Sequence, residues 1–337
     1  MLLRQLFDLE TSTYTYLVAD EASGAALVID PVREKLGRDL ELIEELGLTL
    51  RYALDTHVHA DHVTAAGALR ARTGCKIVAS VGGAESADLH VRDGDRFRLD
   101  AIEVEVIGTP GHTDDSVSYK IGDNLFTGDA LLVRGCGRTD FQNGSAEQLY
   151  DAITRRVFTL PDATRVWPGH DYRGHTVSSV GEEKRFNPRL AGKSRDEFVR
   201  IMHALALPRP ARIDEAVPAN REVGLGMAQD AAAGGFRECD APSARAALST
   251  TRVIDVREPH EYAGELGHIE GAENVPMTRF PEVAADWKRA DPLLVVCRSG
   301  RRSREVCQML ARLGFEDIAN LAGGMLEWRA REQEGER

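Results

Sequence analysis

Along the first half of the chain, apolar residues return at every second position. Leu48, Leu50, Tyr52 and Leu54 keep this spacing, and Ile102, Val104 and Val106 repeat it. A period of two marks a strand with one buried face, so the stretch from Met1 to about Val157 reads as short strands interrupted by helices. One helix is expected over 60–72, with Asp61 as its cap and Gly74 as its stop, and Ser145 ahead of Gln148 resembles a capping box. The pattern predicts an α/β arrangement rich in hairpins. Between positions 208 and 237 the text turns dense in Pro, Gly and Ala and loses its period, as linkers do. Beyond it lie a strand-like RVIDVR, a buried run PLLVV and an amphipathic SREVCQMLARLGF closed by Gly314, the makings of a compact parallel α/β unit.

A chain of 337 residues is long for a single core. The expected division is a first domain over 1–210, a linker over 211–237 and a second domain over 238–337. A composition of 42% hydrophobic and 28% charged residues is that of a soluble globular protein, with nothing that signals a membrane. The net charge of -12 repels a phosphate backbone and excludes nucleic acid as an expected partner. Cys75, Cys136, Cys239, Cys297 and Cys307 are odd in number and show no framework spacing, which fits a reducing compartment. The opening MLLRQLFDLETSTYTYLVAD has too short an apolar run for a secretory signal and is acidic too early for a transit peptide, so a cytoplasmic location is expected.

The densest chemistry is Thr56-His57-Val58-His59-Ala60-Asp61-His62, where a strand gives way to a helix. In extended chain, His57 and His59 face one side, and the following turn can bring Asp61 and His62 to the same pocket. His112 in TPGHTDDS, Asp129 in FTGDAL and His170 in WPGHDY each follow an apolar, strand-like run. Five of the ten histidines and two aspartates thus share strand-end contexts, a pattern that points to a metal site.

In this order the residues resemble the H-x-H-x-D-H motif, downstream His, bridging Asp and last His of the metallo-β-lactamase superfamily. The resemblance covers about two thirds of the chain and implies an αββα sandwich with the metal at one sheet edge. The same seven positions serve the glyoxalase II branch, which binds two metals and hydrolyses a glutathione thioester, so the ligand list leaves the chemistry open. The runs GDALLVRGCGRTDFQ and GHDYRGHTVSSVGEEKRFNPRL resemble the persulfide dioxygenase family. That resemblance implies one Fe(II) per chain on His57, His112 and Asp129, with His59, Asp61, His62 and His170 in an outer shell or surviving from a dinuclear ancestor. Two imidazoles and a carboxylate leave positions open for substrate and O₂ on non-haem iron. The implied reaction takes glutathione persulfide and O₂ to sulfite and glutathione. Glutathione is anionic, and Arg138, Tyr172 and Arg173 are the candidates for gripping it. Cys136, between two glycines, reads equally as a packed or a redox residue, and Cys75 reads as core.

A second reactive site is expected at Cys297-Arg298-Ser299-Gly300-Arg301-Arg302, between PLLVV and a helix. Loop amides, the helix N-terminus and the guanidinium groups of Arg298, Arg301 and Arg302 favour a thiolate at Cys297, which makes it a nucleophile. A phosphatase loop would need Cys-x5-Arg, but position 303 is Ser303 and the last loop arginine, Arg302, comes one residue early. With VIDVREPHEYAGELGHIEGAENVPM upstream and LAGGMLEW downstream, the segment resembles a small rhodanese-like parallel α/β domain. In that resemblance Asp255, Arg257 and His268 match positions that shape the fold or its site. Cys307 reads as packed, and Cys239 is assigned to the linker region. The implied partners are thiosulfate and glutathione, exchanging sulfur through a Cys297 persulfide. The alternatives are a glyoxalase II-type hydrolase with an appended sulfurtransferase, and a C-terminal persulfide carrier that does not turn over thiosulfate. A homodimer is left open.

Overall fold

A computed structural model of the chain describes residues 1–205, 207–224, 236–284 and 287–335. It divides into two compact units, Met1–Met227 and Ala228–Arg337. In the first unit β1 (Leu2–Asp8), β2 (Thr13–Ala19), β3 (Ala25–Ile29), β4 (Thr49–Leu54), β5 (Lys76–Ser80) and β6 (Leu89–Val91) lie side by side in chain order. The pairs from β1 to β3 are antiparallel and those from β3 to β6 parallel. The second sheet is β7 (Arg96–Leu99), β8 (Ile102–Gly108), β9 (Val117–Ile121), β10 (Asn124–Gly128), β11 (Arg165–Pro168) and β12 (Ser178–Ser179), antiparallel except for β10 with β11.

Alternation explains why these strands stack. In β2, Tyr14, Tyr16 and Val18 enter the core between the sheets with Val104, Val106, Tyr119 and Phe126. Leu17 and Ala19 point the other way and pack with Ile43 and Leu69 of the helices Leu36–Glu45 and Ala66–Thr73. On the far side of the second sheet, Leu125 and Val166 pack with Leu149 and Phe198 of the helices Ala146–Ala152 and Arg195–His203. The expected αββα sandwich is therefore the observed one.

Three local expectations change. The period of two through Leu48–Leu54 is broken by a register shift in the pairing with β3, which sets Leu50 among the outer helices but Tyr52 and Leu54 in or against the inter-sheet core. A bulge inserts one residue, here Arg51, and so switches the face presented afterwards. The helix expected from position 60 begins at Ala66, because the side chains of Asp61 and His62 are engaged with each other and Asp61 also bonds Thr13 and His170. Gly74 does close it, at a left-handed φ of 71°. Ser145 caps the helix Ala146–Ala152 by accepting from the Gln148 amide. Finally, the expected linker contains a helix, Ile213–Arg221, that belongs to the first unit and buries Ala216, Ala219 and Asn220, while Val223 joins the outer core beside Leu69. Pro218 within it is what masked its period.

The second unit is a five-stranded parallel sheet in the order β13 (Arg237–Cys239), β17 (Ile318–Leu321), β16 (Leu293–Val296), β14 (Arg252–Asp255) and β15 (Glu273–Asn274). Its central strands β14, β16 and β17 bury apolar residues on both faces, as a parallel sheet requires. One face meets Val306 and Leu310 of the helix Arg301–Arg312, and the other meets Ala241, Met325 and Trp328. Cys239, assigned to the linker region, ends the edge strand β13 and is buried. Arg257 and Asp255 form a fully buried pair at 2.6 Å, and Arg257 also donates to the carbonyls of Glu261 and Gly267, tying the β14 end to the following turn. His268 stacks on Tyr262 with ring centroids 3.9 Å apart. Among the described residues no helix is long and apolar enough to cross a membrane.

The chain needs glycine where LAGGMLEW passes the Cys297 loop. A Cβ on Gly324 would lie 2.5 Å from the Cys297 carbonyl oxygen, and its φ is +58°. Gly324→Ala should therefore lower the stability of the C-terminal unit by about 2–3 kcal/mol, read as an earlier unfolding transition for that unit alone. An unchanged melt would contradict this packing.

Candidate functional site

His57, His112, Asp129 and His170 follow the ends of β4, β8, β10 and β11, so both sheets deliver side chains to one end of the sandwich. The ligand atoms of His57, His112 and Asp129 lie within 4.8 Å of one another, and His59, Asp61 and His62 form an adjoining cluster of the same spread. A third such cluster joins His59 to Asp30 and Asp55, two carboxylates that the sequence reading did not single out.

Hydrogen bonds fix which ring nitrogen each candidate ligand presents. The Thr56 hydroxyl donates to Asp30 Oδ2 at 2.9 Å, so its oxygen accepts from His57 Nδ1 at 3.0 Å and leaves the Nε2 lone pair free. His112 Nδ1 donates to the carbonyl of Arg138 at 2.7 Å, which frees its Nε2 in the same way. Burial, with His59 and His112 nearby, holds His57 well below the usual histidine range, in the neutral form that a metal takes. His170 bonds Asp129 Oδ1 through Nδ1 at 2.6 Å and Asp61 Oδ2 through Nε2 at 3.0 Å. Burial alone would raise the Asp129 carboxyl, but His170, His112 and His57 hold it well below its ordinary value. The free donor atoms therefore suit a metal ion. Gly137 belongs to this cradle, because a Cβ there would lie 2.5 Å from the Asp129 carbonyl oxygen and 2.7 Å from His112 Nδ1.

A cavity of about 540 Å³ opens on His112, Asp129 and His170, between apolar walls that include Leu132, Val133 and Pro208. Arg138 borders it but is engaged elsewhere: it pairs with Asp140 at 2.7 Å, donates to the Pro208 and Leu207 carbonyls and covers the Phe141 ring. Tyr172 is 72% exposed and stacks parallel to His170 at 6.0 Å. The Arg173 side chain lines the cavity with no hydrogen-bond or ion-pair partner among the described residues. Arg189, in the NPRL run but not singled out there, also lines it and gives one nitrogen to the Cys136 carbonyl at 2.7 Å. Burial pushes the Cys136 thiol up, and its sulfur packs 3.7 Å from Met202 Sδ, which favours the packed reading over the redox one.

In the second unit Cys297 directly follows β16 at the floor of a loop, 1% exposed. The Gly300 amide donates to its Sγ at 3.2 Å and the Ser303 hydroxyl at 3.3 Å. Ser303, whose place in the loop excludes the phosphatase spacing, is thus a direct partner of the sulfur. Of the three loop guanidinium groups, that of Arg302 lies within electrostatic reach of the Cys297 sulfur. Arg302 is locked to Glu261 by two bonds of 2.7 Å, while Arg298 is exposed and Arg301 leans toward Glu305. Burial pushes the Cys307 thiol well up, as suits a packed residue.

Residues 9–170 match the metallo-beta-lactamase superfamily and residues 240–331 the rhodanese-like domain. Over 228 residues the chain is 50% identical to the mitochondrial persulfide dioxygenase ETHE1 of Homo sapiens, covering 67% of this chain and 89% of that one. The chain belongs to the persulfide dioxygenase family of the metallo-beta-lactamase superfamily. A crystal structure of ETHE1 from Myxococcus xanthus is 63% identical, with a TM-score of 0.66 over 66% of this chain and all of that one. A metallo-beta-lactamase structure from Staphylococcus aureus shares the fold over 96% of this chain and 98% of its own, at 24% identity and a TM-score of 0.65. This persulfide dioxygenase family member thus carries a rhodanese-like domain at its C-terminal end.

The Glu261–Arg302 pair gives the C-terminal unit a pH signature. Hydrogen bonds from Arg302 hold the Glu261 carboxyl down at about 2, against an ordinary 4.5. A depressed folded value contributes stability that is present above the ordinary value and is lost as pH falls through the folded one. Unfolding of this unit followed against pH should show that loss between pH 4.5 and about 2, and Glu261→Gln should flatten it. An identical pH dependence in both proteins would contradict the pairing.

Proposed function

We propose that the N-terminal unit oxidises glutathione persulfide with O₂ to sulfite and glutathione at one Fe(II) per chain, held by His57, His112 and Asp129. The C-terminal domain, in this reading, moves sulfane sulfur between thiosulfate and glutathione through Cys297. The observation that carries the first half is the triad itself: His57 and His112 have their other ring nitrogen engaged, Asp129 has one oxygen on His170, and the group opens on a cavity. Fe(II) in such a set keeps open positions and supplies the redox chemistry with O₂ that zinc lacks. Glutathione persulfide, O₂ and water give glutathione, sulfite and two protons, with the terminal sulfur oxidised, O₂ reduced and the sulfur–sulfur bond broken.

The protein's own residues bind and orient. Arg173 and Arg189 have guanidinium donors to offer the glutathione carboxylates, whereas Arg138 shapes the cavity wall by tying it to the segment at Leu207 and Pro208. Tyr172 flanks the entrance over His170. Leu132, Val133 and Pro208 shed water from the reacting sulfur. His170, braced by Asp61 and Thr13, keeps the Asp129 carboxylate in one orientation. In the C-terminal domain, the Cys297 thiolate attacks the sulfane sulfur of thiosulfate, the sulfur–sulfur bond breaks, and sulfite leaves with the electron pair. A glutathione thiolate then takes the outer sulfur and restores Cys297. Gly300 and Ser303 hold the sulfur in place through both steps. Five free thiols support a reducing, cytoplasmic setting; the human relative is named as mitochondrial.

One observation favours the second reading, thioester hydrolysis at two metals: His59 Nδ1 and His62 Nε2 are buried without a hydrogen-bond partner. Against it, both ring nitrogens of His170 are engaged with carboxylates. Oxygen uptake separates the two. Iron-loaded protein should consume one O₂ per glutathione persulfide and release sulfite; cleavage of lactoylglutathione with no oxygen uptake would favour the hydrolase. Cys297→Ser should abolish thiosulfate turnover with glutathione and leave oxygen uptake intact. Unchanged thiosulfate turnover would remove the nucleophile assignment, and a domain that accepts sulfur without turning over thiosulfate would be a carrier. Arg173→Ala should raise KM for the persulfide about tenfold with little change in kcat, the loss of one charge-assisted hydrogen bond.

A further inference from the structure

Asn220 lies on the helix Ile213–Arg221, outside the 9–170 stretch that matches the superfamily, and its side chain is 3% exposed. Its carboxamide nitrogen donates to the carbonyls of His59 at 2.9 Å and His62 at 2.8 Å, and its oxygen accepts from the Thr64 amide at 2.8 Å. One planar group thus holds the loop at three points across 59–64, the segment that carries His59, Asp61 and His62 and runs directly on from His57. We propose that Asn220 is a positioning residue for the metal centre: it sets the loop's shape before the ion arrives, so that the ion need not order it.

The carboxamide is the group this position demands. Both carbonyls need a donor and the Thr64 amide needs an acceptor, and only an amide of this length offers both at once. Aspartate would keep the acceptor but turn an anionic oxygen on two carbonyl oxygens. Leucine would keep the volume and leave three buried backbone groups unpaired, in a segment where burial makes that unfavourable. The anchor also gives the Ile213–Arg221 helix a role in the centre, since metal binding and helix docking then favour each other. The helix and the turn after it reach the same end of the sandwich through two further contacts: the Glu85 amide donates to the Arg221 carbonyl and the Gly67 amide to that of Val223.

The inference rests on the proposed metal reading, and the test keeps the two apart. Metal affinity of the full-length chain is measured with Co(II) against a chromophoric chelator, at a temperature well below the melting point of each metal-free protein. Asn220→Asp and Asn220→Leu should each weaken Co(II) binding about 10- to 100-fold, the usual effect of losing a group that orients ligands. A purely structural role would lower the melting temperature and leave the affinity of the folded protein within twofold, and that result would overturn the proposal. A second measurement needs no variant. In the parent chain, Co(II) should slow amide hydrogen exchange across 213–221, and exchange there unaffected by metal would equally overturn the clamp. If the parent chain bound no Co(II), or if His57→Ala bound it as tightly as the parent, the metal reading itself would fall and the clamp with it.

Discussion

The Asp30 carboxylate, buried at the end of β3, is the fixed point from which the metal end of the sandwich is built. It accepts from the Thr56 amide at 2.7 Å, from the Thr56 hydroxyl at 2.9 Å and from His59 Nε2 at 3.0 Å. A carboxylate removed from water needs such donors, and the same bonds decide what its donors can do. Because the Thr56 hydroxyl points at Asp30, His57 must turn Nδ1 to Thr56 and offer Nε2 outward. Thr56 also meets the second sheet: a Cβ on Gly128, the residue before Asp129, would lie 2.3 Å from its Oγ1. A single buried anion thus sets the orientation of one proposed ligand, His57, and the approach of the strand that carries another, Asp129.

The two sulfur sites solve different problems with different means. The metal end gathers charged and neutral ligands from separate strands and steadies each with a hydrogen-bonded partner, so its precision comes from many weak links. Cys297 depends on one tight loop. The Met325 amide bonds the Cys297 carbonyl at 2.9 Å and that of Leu326 bonds the Arg298 carbonyl at 3.1 Å, an approach that the adjoining Gly323–Gly324 backbone allows. Donors from Gly300 and Ser303 then reach the sulfur, and the Glu261–Arg302 pair fixes the start of the helix behind it.

The sequence made the clustered side chains legible because a histidine or aspartate just past an apolar run is a local pattern, and His57, His112, Asp129 and His170 all show it. What it concealed was non-local. Asp30 also ends an apolar run, AALVID, but a single aspartate there reads as a turn residue until Thr56 and His59 are seen around it. Asn220 sits in a helix whose period Pro218 interrupts, so its stretch read as linker. Arg138 looked free for a ligand because a loop arginine reveals nothing of its partners, and Asp140, Leu207 and Pro208 account for its donors. Arg302 does reach the thiol electrostatically, but its anchor was concealed for the same reason, since Glu261 holds it from forty-one positions away. Local spacing carries strand and helix type, while hydrogen-bond partners distant in sequence decide roles.

The central claim is a single redox-active ion on His57, His112 and Asp129, and metal content tests it most directly. Protein purified from iron-supplemented cells should hold one iron per chain, reduced to a trace by Asp129→Ala and retained by His62→Ala. Two zinc ions per chain, lost together in His62→Ala, would contradict the account.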